Sequence, residues 1–291
     1  MNKIILLFIL IIVTLIGASN LNNAVAHTFS GDESASFLAL VDMIKIQAHL
    51  AQQDLSSNIT LAQEHANRTG EHLDINQTKE IAEKNKRLAN ELNGSLIALN
   101  DAFNSKIPPT LANIEEKVSY IDAILGEVIS ARIGKDQLNN VTVKALTIND
   151  LIGETLEHYG EAMGHEEAMG HEEEHISTSS SNITIDGSIG SESTTNISRQ
   201  DENTTEAAAT IVNQVDYQSA QAIASRILDL YSELKSGIPS NASTNATTLE
   251  NALESLKDDI DKKVPFDTLD GLVDNQIIPV LNSTFDLKLK E

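Results

Sequence analysis

From Phe37 onward, apolar positions recur at alternating steps of four and three: Phe37, Val41, Ile44, Ala48, Ala51 and Leu55. That rhythm predicts an amphipathic helix with one stripe turned toward partner helices, and Gly31-Asp32-Glu33-Ser34 reads as its start. A short helix is predicted from Thr60 to Arg68, closed by Gly70. The next opens at Thr78-Lys79-Glu80 and carries Ile81, Leu88, Leu92, Leu96, Leu99 and Phe103 on its buried side. Pro108-Pro109-Thr110 breaks the chain. Leu111, Ile114, Val118, Ile121, Leu125, Val128 and Arg132 then hold the three-four rhythm, and Ile148, Ile152, Thr155, Tyr159 and Met163 align within a further helix from Asn140 to Met163. Long amphipathic helices with short connections predict an antiparallel bundle.

The rhythm stops at Gly164. Glu, His, Gly, Ser and Thr dominate until about Glu206, a composition that buries too little apolar surface to offset the entropy of ordering it, so residues 164–205 are expected to form a flexible, disordered linker. Helical patterning returns with Val215, Ala220, Ile223, Ile227, Leu230 and Leu234. It continues past Pro239-Ser240-Asn241 with Leu249, Leu253, Leu256 and Ile260. A last segment from Asp267 carries Leu269, Leu272, Val273, Ile277, Val280 and Leu281, with Pro279 expected to kink it or open a second short helix. The only alternating stretch, Asn182 to Ile185, lies in the linker. The expected fold is therefore all-α, with antiparallel helical bundles in two lobes: an N-terminal bundle over 27–163 and a C-terminal three-helix region over 206–291, which forms a small bundle of its own or completes the first.

Ahead of these helices, Met1-Asn2-Lys3 supplies a positive start, Ile4 to Ala18 is an apolar run, and Ala24-Val25-Ala26 offers small residues for a signal peptidase. Residues 1–26 are thus expected to be a cleaved signal peptide, leaving His27 at the N-terminus and the protein secreted or on the cell surface. The apolar run is shorter than the roughly 20 residues of a spanning helix, so membrane association is expected only if the segment is retained as an anchor. The absence of cysteine rules out disulfides and thiolate metal sites. A net charge of -23 repels nucleic acid and makes cations the natural small partners. Asn-x-Ser/Thr acceptors stand at Asn58, Asn67, Asn76, Asn93, Asn140, Asn182, Asn196, Asn203, Asn241, Asn245 and Asn282. In an exported chain they read as an N-glycosylated outer face, each on an exposed face or turn; an Asn-, Ser- and Thr-rich composition also collects such triplets passively.

Chemistry concentrates in one place. Glu161-Ala162-Met163-Gly164-His165-Glu166 is repeated at once as Glu167-Ala168-Met169-Gly170-His171-Glu172, with His158 before it and His175 after it. Imidazole suits Cu(II), Zn and Ni, thioether sulfur suits Cu(I), and carboxylates attract any divalent cation. The candidate metal ligands are accordingly His158, His165, His171 and His175, with Met163, Met169 and Glu161 assisting. If the helix continues, His158, Glu161 and His165 share a face and His171 and His175 lie one turn apart. The same tract also reads as an acidic spacer lengthened by replication slippage.

His171-Glu172-Glu173-Glu174-His175 satisfies the H-E-x-x-H pattern of zinc hydrolases, but its neighbours offer no apolar positions to seat a catalytic helix, and no enzymatic activity is expected. His27, as an N-terminal residue, offers an amine and an imidazole for copper if His49, His65 or His72 is held nearby. Those three histidines otherwise read as polar faces toward water.

The stretches His27-Thr28-Phe29-Ser30-Gly31-Asp32-Glu33-Ser34-Ala35-Ser36-Phe37-Leu38, Ala62-Gln63-Glu64-His65-Ala66-Asn67 and Phe285-Asp286-Leu287-Lys288-Leu289 resemble uncharacterised exported helical proteins of ammonia-oxidising archaea. The resemblance implies an archaeal cell-surface setting and organisms that depend on copper, and carries no active-site residues. The helix pattern also resembles the extracytoplasmic helical domains of iron permeases. The expected function is a non-enzymatic cell-surface protein that binds or buffers divalent metal or copper ions through the tract, with Cu, Zn or Ni as its ions. The alternative is a structural or interaction glycoprotein of the cell envelope, with envelope proteins as partners and the tract as a spacer.

Overall fold

The computed structural model describes residues 30–165, 210–238 and 243–287. All regular structure among them is helical: α1 (Gly31–Asp54), α2 (Ile59–Glu71), α3 (Ile75–Phe103), α4 (Leu111–Arg132), the single turn α5 (Lys135–Leu138), α6 (Val141–Met163), α7 (Gln214–Lys235), α8 (Ser243–Lys262), α9 (Phe266–Leu272) and α10 (Ile278–Phe285). No helix among the described residues is long and apolar enough to cross a membrane. The expected signal peptide at 1–26, most of the linker and the alternating stretch at 182–185 lie outside the described residues.

The helix starts follow from side-chain caps. Ser30 and Glu33 form a reciprocal capping box on α1, as do Asp74 and Gln77 on α3. Asn58, Thr110, Asn140 and Asn213 accept from the free backbone N–H groups that open α2, α4, α6 and α7. Within α3 the backbone breaks at Asn85, which has φ -156° and ψ 96°. Its Oδ1 accepts from the N–H groups of Arg87 and Leu88 at 3.1 and 3.3 Å, so this residue caps a fresh start inside what the apolar rhythm reads as one helix. Past α9, Val273–Ile277 widen into a π turn. Pro279 follows at the opening of α10; the wider turn absorbs the N–H that proline lacks and the bulk of its ring.

Two apolar cores result. One joins α1 to α4 through Phe37, Ile44, Ala66, Leu92, Leu99, Ile121 and Leu125. The other joins α1, α6, α7, α8, α9 and α10 through Met43, Ile148, Ile152, Ile223, Leu253 and Ile277. The single stripe expected on α1 faces only the first core. Its opposite side, including Ala39, Met43, Gln47 and Leu50, is buried as well. Helices from before and after residues 166–209 share the second core: α6 packs along α7, and α1 is the wall common to both cores. Tyrosine hydroxyls bind this second core together, Tyr159 donating to the Val264 carbonyl at 2.6 Å and Tyr217 to that of Ile260 at 3.1 Å. Both donate to carbonyls at or just past the end of α8, where backbone carbonyls have no partner within the helix.

Candidate functional site

The C-terminal end of α6 and the N-terminal end of α7 meet beside α2, and ionisable side chains from all three converge there. Gly164 sets the geometry. It adopts the left-handed conformation, with φ 74° and ψ 27°, and closes α6 through bonds from its own N–H to the Glu161 carbonyl and from the His165 N–H to that of Gly160. On the far side of the linker the chain returns at once to this point: the N–H groups of Val212 and Asn213 lie 2.8 and 3.3 Å from the Ala162 carbonyl. Asn213 then caps α7 and places Asp216 in its first turn, where the helix dipole favours a carboxylate. Glu161 has the opposite placement, in the last turn of α6, where the dipole disfavours its charge.

Asp216 is the hub. Its side chain has no solvent exposure, yet it is bound from two sides. Arg68 of α2 grips both carboxylate oxygens, the second at 2.9 Å, and Nδ1 of His158 donates to Oδ1 at 2.7 Å. Burial alone would raise the pKa of Asp216, but the hydrogen bonds from His158 and Arg68 outweigh it and hold the carboxyl well below its usual range. Burial pushes Glu161 the other way, and the neighbouring charge of Asp216 adds to the rise. One potential ligand atom each from His158, Glu161 and Asp216 lies within 4.8 Å of the others. A tetrahedral ion with bonds of about 2.1 Å spaces its donors by about 3.4 Å, so a small inward movement brings the three into bonding distance.

Two further histidines extend the polar zone along α2. His65 is fully buried, its Nδ1 at 2.7 Å from Gln47 Oε1 and its Nε2 at 3.0 Å from Gln218 Oε1. The Ser219 hydroxyl donates to the Val215 carbonyl and is in turn approached by Gln47 Nε2, so the Gln47 oxygen accepts from a proton on Nδ1 of His65. His72 has a buried Nε2 with no partner, and burial, with the nearby His158 and Arg68, pushes its pKa down to about 4. It lines a cleft of about 850 Å³ beside α6, which also holds Asp150, Glu154, Glu157, His165 and Asp270.

Of the expected metal ligands, His158 and Glu161 come together. His165 does not join them, because α6 ends at Gly164 instead of continuing. Its ring stacks on Phe266 with centroids 4.5 Å apart, and its Nε2 is 3.6 Å from Asp267. Met163 packs against the second apolar core. Met169, His171, His175 and His27 lie outside the described residues, and with them the H-E-x-x-H match. No protein-family model, curated protein or solved structure matches this chain. The residues themselves therefore carry the functional reading.

Sequence patterning gives no sign of Asp216, which reads as an ordinary acidic residue in a helix's first turn. His65 and His72 are not the solvent-facing residues that their polarity suggests. His65 shares a buried face of α2 with the small residues Ala62, Ala66 and Thr69, and that smallness was the available signal of close helix approach. Among the glycosylation acceptors, Asn58, Asn76, Asn93, Asn140 and Asn245 are exposed as expected. Asn67 and Asn282 are half-buried. Asn67 accepts from Asn100 Nδ2 at 2.8 Å, and the Oδ1 of Asn282 is out of reach of solvent, because both sit where neighbouring helices pack. Asn182, Asn196, Asn203 and Asn241 fall outside the described residues.

Proposed function

We propose that this is an exported, non-enzymatic helical protein that binds a divalent cation between α6 and α7, through His158, Glu161 and Asp216. The observation that carries this reading is the convergence of one imidazole and two carboxylates from two helices within 4.8 Å. An imidazole with two carboxylates is a donor set for Zn, Ni or Cu(II). With Met163 packed against the second core, the reading no longer includes a thioether ligand for Cu(I) from that residue. The high negative charge of the chain and the acidic cleft beside α6 draw cations toward this end of the molecule. In this reading His165, His171, His175 and Met169 collect ions near the site and do not form it.

The test is calorimetric titration of residues 27–291 with Zn(II), Ni(II) and Cu(II), beside His158→Ala, Glu161→Gln and a variant with 166–209 replaced by a short glycine-serine bridge. One site is expected that survives the bridge and is weakened at least about tenfold by either point substitution. Binding abolished by the bridge and untouched by His158→Ala would return the function to the tract. The second reading is a structural or interaction glycoprotein of the cell envelope. It is favoured by the grip of Arg68 on Asp216, an arrangement that also serves only to fix how three helices pack. Absence of binding in every form would support it.

A further inference from the structure

We infer that Arg68 is a displaceable counter-ion of the cation site, so that a divalent ion enters only by exchanging with the guanidinium on Asp216. This rests on the reading of His158, Glu161 and Asp216 as ligands. Both oxygens of Asp216 are committed, Oδ1 to His158 and Arg68 and Oδ2 to Arg68. Three of the carboxylate's roughly four acceptor positions are thus taken, and the guanidinium, which offers a metal no acceptor and does not lose its proton, repels a divalent ion brought to the fourth. Of the two partners only one can move. Asp216 is sealed on a rigid helix end, whereas the side chain of Arg68 keeps 22% of its surface in contact with solvent.

A resting place for the displaced group is at hand. Glu71, exposed three residues along α2, already acts electrostatically on Arg68, and three residues is one turn of the same helix face. The guanidinium thus moves from a buried carboxylate to an exposed one and remains paired. The exchange also sets a threshold of charge. A monovalent ion replaces the guanidinium at no electrostatic gain and forfeits two charge-assisted hydrogen bonds. A divalent ion brings one charge more than it removes. Arg68 therefore acts as a selectivity residue that holds the site closed to sodium and potassium.

The experiment is titration of residues 27–291 with Zn(II), in wild type, Arg68→Gln, Arg68→Lys and His158→Ala, each checked for helicity by circular dichroism. Arg68→Gln is expected to bind Zn(II) about ten- to a hundredfold more tightly than wild type, because two charge-assisted hydrogen bonds are no longer broken on binding, a loss that re-pairing with Glu71 offsets only in part, with Arg68→Lys between. A folded Arg68→Gln with unchanged or weaker affinity overturns the exchange, and the site reading still stands if His158→Ala weakens wild-type binding. No binding by wild type or by Arg68→Gln removes the site itself. Should Arg68→Gln not fold, the wild type is decisive: the ¹⁵Nε resonance of Arg68 is expected to shift as Zn(II) saturates the site, and a resonance unmoved at saturation overturns the exchange.

Discussion

A carboxylate held by an arginine and a histidine in the same pocket is costly to lose. Asp216→Ala takes from Arg68 and His158 the carboxylate they share, and the loss of one partner of a buried pair costs about 3 kcal/mol, the lower end of its range because Arg68 can swing to water. Urea unfolding should show this as a lower midpoint at unchanged slope. His65 and His72 make a different prediction. Burial lowers both pKa values below 6.5; around His65 the charge of Arg68 adds to the fall while Gln218, Asp54 and Asp216 oppose it, and around His72 both His158 and Arg68 add to it. The unfolded chain therefore binds more protons than the native one in this window, and the stability these rings confer is complete above about pH 6.5. It is lost as pH falls toward the folded values, about 4 for His72. His72→Gln should show a smaller drop in midpoint between pH 7 and pH 5 than wild type; an equal drop would mean that the ring is not neutral in the native state. Periodicity could not reveal that His65 is buried or that His72 is half-buried. It registers apolar residues, and His65 is sheltered by the approach of α1 and α7 to α2, His72 by the walls of the cleft beside α6.

At the scale of elements, the apolar rhythm located nearly every helix and Asn140 marked the start of α6 to the residue. What it could not show was how many partners each helix has. The stripe from Phe37 to Leu55 describes one face of α1, while Ala39, Met43 and Gln47 on the other side look weakly patterned because their neighbours are small or polar. Asn85 escaped for a related reason. Leu88 and Leu92 continue the apolar sequence across it, and the interruption is a hydrogen-bonding event that hydrophobicity does not record. Gly164 belongs to this scale too. An added methyl group would meet Val212 Cγ2 at 3.2 Å in a conformation that L residues disfavour. Gly164→Ala should thus cost about 1 to 2 kcal/mol, seen as a lower thermal midpoint, and should loosen the end of α6 that carries Glu161. A midpoint within error of wild type would show that the turn is held by other contacts.

For the whole molecule, the all-α architecture was readable from the chain, and which helices share a core was not. Sequence order suggested that α6 closes an N-terminal bundle, but its face of Ile148, Ile152 and Tyr159 packs with Ile223, Leu253 and Ile260 of later helices. Contacts between segments far apart in sequence leave no local trace. The candidate site was half legible for the same reason: His158 and Glu161 sit together on one helix, while Asp216 and Arg68 reach them from elements more than fifty residues away.

The backbone bonds from Val212 and Asn213 to Ala162 have a consequence in evolutionary terms. They pin the chain where it departs and returns, so the stretch between them can change length without pulling on either core. A tandem six-residue duplication begins beside this clamp, at Glu161. Here the gene can gain or lose a histidine-bearing unit in one step while the fold is inherited unchanged.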